Sequence, residues 1–249
     1  MKFLVLMPLF YMSLASAEGL IKVESYVYKT NAHAGFCIRP LEMIDTIVIH
    51  HSETPVTDTP AFINHMHLGR GSKDSPWYMI AYHYVLNSAY KGQSSPMSQI
   101  TEGRALNMVG AHAGSDAFVE MDSEQQKLWD AGKILCGKKT VPFKKDPLLL
   151  LEGKIKANVT TIGLVVIGNY GEISPQNLSG YLPGMPNEVS VETLDMIARL
   201  SCQLQKKHPR IKNLKWHSYY HSEKTCPGDL KSSVGKIVDM AKEYGCAFN

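Results

Sequence analysis

Beyond its first seventeen residues the chain has no apolar run approaching the roughly 20 residues that a membrane span needs. Nothing in the remainder reads as a transmembrane segment. No block of like charge is present either: 26 Lys and Arg stand against 23 Asp and Glu. No basic stretch is interleaved with aromatics, so the footprint of a nucleic-acid binder is missing. Internal repeats and low-complexity tracts are absent, which excludes solenoids and long disordered linkers. Cysteine is scarce, and its count of five is odd. In an exported protein an odd count leaves one thiol without a disulfide partner.

What is present begins with an address. Met1-Lys2 is a short basic start, FLVLMPLFYMSLA is apolar, and Ala15-Ser16-Ala17 offers small residues for cleavage. This pattern predicts a secretory signal peptide over residues 1–17, and hence a periplasmic or secreted product. Glu18-Gly19 follows without a basic stop-transfer cluster, and no cysteine stands at the cleavage point, which disfavours a lipoprotein. The remaining chain, about 230 residues, is long enough for one domain with a substantial core.

Apolar periodicity places the elements. Asp45–His50 is a β-branched run that reads as a buried strand, as do Ala81–Leu86 and, most strongly, Thr161–Ile167; Ser98–Thr101 is a weaker one. Thr59–Leu68 predicts a helix with Thr59 as cap, Pro60 in the first turn, and Phe62, Ile63 and Met66 on one face. Ser190–Lys207 is amphipathic, Leu214–Trp216 is a short strand, and Leu230–Tyr244 is a last helix. Alternating strands and helices predict an α/β fold with a sheet covered on both faces. Residues 18–43 form a lead-in, 115–160 an insertion with a helix-like piece at Asp122–Ile134, and 177–186 a Gly- and Pro-rich loop. Cys202 and Cys246 would tie two late helices together.

The chemistry-bearing residues gather at two places. His50 closes the first strand, at the end where α/β folds hold their ligands, and His51 must point to the opposite face. Alone, His50 reads as a structural histidine. His217 and His221 stand nine and five residues before Cys226, and Pro227-Gly228 turns the chain directly after the thiol. A catalytic zinc keeps three N or S ligands and one open position, and His50, one late histidine and Cys226 make such a set. The alternative is that Cys226 is half of a disulfide and the histidines are solvated.

Six segments occur in order: IDTIVIHHSET (44–54), AYHYVL (81–86), EGR (102–104), GAHAG (110–114), TIGLVVIGNY (161–170) and WHSYYHSEKTCPGD (216–229). Together they resemble the zinc-dependent N-acetylmuramoyl-L-alanine amidases, the superfamily that includes phage-type amidases and peptidoglycan recognition proteins. The resemblance covers about residues 44–235 and is interrupted by the insertion. It implies a single domain (44–245) with a central mixed β-sheet flanked by helices. It also implies one Zn2+ per chain on His50, His217 and Cys226, Tyr82 and Lys224 as catalytic residues, and His112 and Asn169 as substrate contacts. The loop from His217 to Cys226 is one residue longer than the family's common length, which keeps His221 as a rival ligand.

The activity so implied is hydrolysis of the amide between N-acetylmuramic acid and L-alanine, with peptidoglycan or muropeptides as partner. The second reading is a peptidoglycan-binding or sensing module that does not hydrolyse. A third is a secreted protein in which the metal only stabilises the fold. Glu102 and Arg104 are expected to make structural polar contacts, and His33, His65, His67 and His208 to be solvated.

Overall fold

A computed structural model of the chain describes residues 21–55, 58–70, 76–87, 99–138, 141–170 and 189–249. The expected leader at 1–17 and the loop at 177–186 lie outside the described residues. The central sheet has six strands: β1 (Val23–Ser25), β3 (Thr46–His51), β4 (Tyr84–Asn87), β5 (Gln99–Glu102), β11 (Thr161–Ile167) and β12 (Asn213–Trp216). Their order is β1-β5-β4-β11-β3-β12. Only the β4–β5 pair is antiparallel, so the sheet is mixed, as the family resemblance implied. Strands β3 and β11 are buried at every position, because a parallel central pair is covered on both faces.

Alternation along these strands sorts the side chains. Ile47, Ile49, Ile162, Leu164 and Val166 face α4 (Val191–Lys207) and α6 (Leu230–Glu243), forming the main core with Leu194, Ile197, Leu230 and Ile237. Each of these fully buried aliphatic side chains contributes about 1.5–3 kcal/mol. Val165 and Ile167 point the other way, toward Ile63 and Met66 of α1 (Pro60–Leu68). The Thr59 hydroxyl caps α1 by accepting from the Phe62 N–H. Phe62 itself is 44% exposed. The inward stripe is Ile63, Met66 and His67, so the expected face was misplaced by one residue.

Two small sheets build a side lobe. One joins β2 (Phe36–Ile38), β7 (Leu135–Lys138) and β8 (Val141–Lys144); the other joins β6 (Phe118–Val119), β10 (Lys154–Lys156) and β9 (Leu150–Leu151). The segment expected as an insertion is therefore folded. It includes α2 (Ser123–Asp130), which Asp122 and Gln125 cap reciprocally, the single turn α3 (Ala157–Thr160), and a core built with Met43 from Trp129, Ile134, Ile155 and Val159. A Cys37–Cys136 disulfide joins directly paired residues of β2 and β7, tying the lead-in to the lobe. A Cys202–Cys246 disulfide ties α4 to the segment after α6, and Cys226 remains a free, buried thiol.

Candidate metal centre

His50 lies at the C-terminal end of β3 and is 1% exposed. Because Ile49 packs toward α4 and α6, strand alternation points His50 to the opposite face, toward the late loop. Trp216 ends β12 beside β3, and the single helical turn α5 (His217–Tyr220) begins there. That start sets the His217 ring 4.6 Å from the His50 ring. The loop then returns: the Ser218 N–H donates to the Cys226 carbonyl at 2.9 Å and the Asp229 N–H to the Tyr170 carbonyl at 2.6 Å. Cys226 precedes a cis peptide bond to Pro227. Its Sγ lies 3.8 Å from His50 Nδ1 and receives the His51 backbone N–H at 3.4 Å.

One ligand atom each from His50, His217 and Cys226 fall within 4.8 Å of one another. Burial lowers the His50 ring well below the ordinary imidazole range and the His217 ring to about 4, so both offer lone pairs at neutral pH. Burial also pushes the Cys226 thiol up to about 12. A sulfur so placed is inert as a thiol, and a cation beside it would stabilise the thiolate. Two neutral imidazoles and one ionisable thiol, drawn to one point, suit the N and S preference of zinc. His221 turns away: its Nε2 is 2.8 Å from the Ala113 carbonyl and 3.3 Å from Asp116.

An open cleft of about 730 Å3 leads to this centre, lined by Trp77, Tyr82, His112, His217, His221 and Lys224 among others. A hollow of about 150 Å3 adjoins it, reaching Glu53 and Cys226 and sharing Tyr82 and Lys224 with the cleft. The Tyr82 ring is 5.1 Å from the His50 ring. Burial, and secondarily Cys226, push its hydroxyl pKa upward, so it stays protonated and able to donate. Lys224 is exposed at the mouth. Asn169 is half-buried just past β11, outside the residues that line either compartment.

His112 is 5% exposed, and its Nδ1 lies 3.0 Å from His50 Nε2. The GAHAG turn is held by a residue that the sequence did not single out. Asn158 Oδ1 accepts the N–H groups of His112 and Ala113 at 2.9 and 2.8 Å, and its Nδ2 donates to the Gly114 carbonyl at 2.9 Å. Gly114 adopts φ +89°, and a Cβ there would fall 2.0 Å from the His221 ring. His67 overturns its solvated reading: it is 4% exposed, lines both compartments, and its Nδ1 accepts the Ala81 N–H at 3.0 Å. Its i,i+4 spacing from Ile63 was the available signal. Arg104 donates to the carbonyls of Ile80, Met79 and Val109, a structural role as expected, though its partners are backbone groups.

A family model described as N-acetylmuramoyl-L-alanine amidase matches residues 40–229. No curated protein sequence matches the chain. Among solved structures, the endolysin amidase LysCS from Clostridium intestinale URNW is 17% identical, with 92% of this chain and 98% of that one covered and a TM-score of 0.49. The Ph2119 endolysin from the Thermus scotoductus MAT2119 bacteriophage is 17% identical, with 88% and 99% covered and a TM-score of 0.45. Drosophila PGRP-LB is 18% identical, with 86% and 93% covered and a TM-score of 0.46. With TM-scores below 0.5 these likenesses carry no part of the assignment, which rests on the match over 40–229, most of the chain: the protein belongs to the N-acetylmuramoyl-L-alanine amidase family.

Proposed function

We propose that the chain is a zinc hydrolase that cleaves the amide between N-acetylmuramic acid and L-alanine in peptidoglycan, using one Zn2+ held by His50, His217 and Cys226. The observation that carries this reading is the convergence of those three side chains, two of them buried, beside an open cleft that His217 lines and an adjoining hollow that Cys226 reaches. Zinc in such a site supplies a water of pKa about 7 and polarises a carbonyl. The protein's own groups do the rest. The cleft seats the substrate so that its amide lies beside the His50–His217–Cys226 group. The Lys224 ammonium stabilises the charge that develops on the carbonyl oxygen, and the Tyr82 hydroxyl donates to that oxygen or orients the attacking water. His112 and Asn169 were expected to touch substrate; His112 lines the cleft and is the better placed of the two.

The second reading, a peptidoglycan-binding module without hydrolysis, keeps the same cleft and dispenses with the chemistry. Cys226 favours the enzyme, because binding alone has no use for a third ligand. Export to a periplasmic or extracellular site is part of the proposal. It is supported by two disulfides, which persist in oxidising compartments. Among the described residues no helix is long and apolar enough to cross a membrane. The catalytic domain is proposed to span 44–245, with 115–160 as an insertion folded within it.

The test is an assay of purified protein on purified sacculi, reading bound zinc and released stem peptides for the wild type and for Cys226→Ser. Zinc and peptide release in the wild type, both lost in the variant, are expected. A wild type without zinc, or a variant that digests equally well, overturns the proposal. Retained zinc without release favours the binding module.

A further inference from the structure

We propose that His112 is a positioning residue that fixes the tautomer of His50, so that His50 Nδ1 presents its lone pair to the metal. The proposal rests on the reading of His50 as a ligand. It follows from hydrogen-bond direction along a chain of four groups.

The chain starts at a carbonyl, which can only accept. The Thr161 hydroxyl lies 2.8 Å from the Ala157 carbonyl oxygen, and its one proton goes there. Toward His112 Nε2, at 3.3 Å, Thr161 Oγ1 then has only lone pairs to offer. Nε2 of His112 must therefore carry a proton. The ring is buried and neither of its nitrogens meets a carboxylate that could hold a second proton there, so it is neutral. A neutral imidazole has one proton, so His112 Nδ1 is an acceptor. His50 Nε2, 3.0 Å from it, must be the donor. The remaining nitrogen of His50, Nδ1, is thereby left unprotonated, and it faces Cys226 Sγ at 3.8 Å. A backbone carbonyl of the side lobe thus decides which nitrogen of a β3 histidine is available.

The surroundings hold the His112 ring in this role. Asn158 binds the backbone of His112 and Ala113, as described above. A Cβ at Gly163 would lie 2.6 Å from the ring and one at Gly110 2.5 Å from it. These two glycines form a slot that the imidazole fills. Both ring nitrogens are engaged inside the protein, Nδ1 by His50 and Nε2 by Thr161, so neither is free for a ligand in the cleft. Partners of this kind around metal-bound histidines typically change metal affinity by about 10–100-fold when removed.

The test uses the geometry of the amide side chains. Asparagine places its Oδ1 near the position of imidazole Nδ1, whereas glutamine places its amide near that of Nε2. His112→Asn is expected to keep the acceptor for His50 and to bind zinc within about threefold of the wild type. His112→Gln and His112→Leu are expected to bind about 10–100-fold more weakly in chelator competition. Equal affinity of His112→Gln and the wild type, or full affinity of His112→Leu, overturns the proposal. Nitrogen-15 NMR of the metal-free wild type gives an independent readout, with His50 protonated at Nε2 and bare at Nδ1 expected. The opposite tautomer sinks the idea even where the variants fail to fold. A wild type that shows the expected tautomer yet binds no zinc would defeat the proposed function and leave the tautomer assignment standing.

Discussion

The side-chain oxygen of Asn158 accepts two backbone N–H groups, those of His112 and Ala113, across 46 and 45 residues of sequence. Together with its bond to the Gly114 carbonyl, this amide is what shapes the GAHAG turn. Asn158→Ala leaves these backbone groups without protein partners in a buried setting. The expected loss is about 2–4 kcal/mol of stability, measured as a lowered urea midpoint at unchanged m. A variant as stable as the wild type would mean that the turn is held by other contacts.

The late loop offers a two-way comparison. His217→Ala removes a group at the metal centre and is expected to abolish tight zinc binding. His221→Ala removes a ring bonded to the Ala113 carbonyl and paired with Asp116, and is expected to keep zinc at full stoichiometry. Metal content by atomic emission decides the pair, and the reverse pattern would exchange the two assignments.

Lys224→Ala tests the proposed oxyanion contact. Lys224 lines both compartments without belonging to the ligand group. Loss of one such donor costs about 100–1,000-fold in kcat. Zinc content and thermal midpoint should stay near the wild-type values, while stem-peptide release falls. Unchanged release would remove the lysine from the mechanism.

Acid should destabilise the fold through histidines away from the ligand set. His83 is fully buried; its Nδ1 accepts the Gly163 N–H at 3.0 Å, and Arg39 Nη2 stands 3.1 Å from its Nε2. Burial, and then the Arg39 charge, hold it well below the ordinary imidazole range. Burial brings His67 down to about 3. Since the folded values lie below the unfolded one, the unfolded chain binds more protons in this window. Stability is complete above about pH 6.5 and is lost as pH falls toward the folded values, by up to about 1.4 kcal/mol per pH unit for each ring. Thermal midpoints taken from pH 8 to 4 should stay level and then drop. A rise on acidification would contradict the neutral assignment.

Much of this was legible in the sequence, and the reasons are physical. Strands β3 and β11 announce themselves as β-branched runs, and burial on both faces explains why they do not alternate. His50, His217 and Cys226 are chemically unusual at their positions and so draw notice. Asn158 does not: it is one polar residue in a segment expected to be an insertion, and its partners lie more than forty residues away. Arg39 was equally silent. Its guanidinium is 3% exposed and donates to the carbonyls of Leu106, Asn158 and Val159, contacts that only the folded side lobe creates. His67 was readable, since it shares the stripe of Ile63 and Met66, but its neighbour His65, which is exposed, blurred the pattern.

The pairing of Cys37 with Cys136 and of Cys202 with Cys246 has a practical corollary. It leaves one sulfhydryl in the whole polypeptide, and that one sits among the proposed ligands. Without reductant, a maleimide or aromatic disulfide reagent has one target sulfur per molecule, and burial with the raised thiol pKa shields it in the folded chain. The rate of that modification, followed with and without a chelator, therefore reports how often the fold opens around the site, and it needs no substrate.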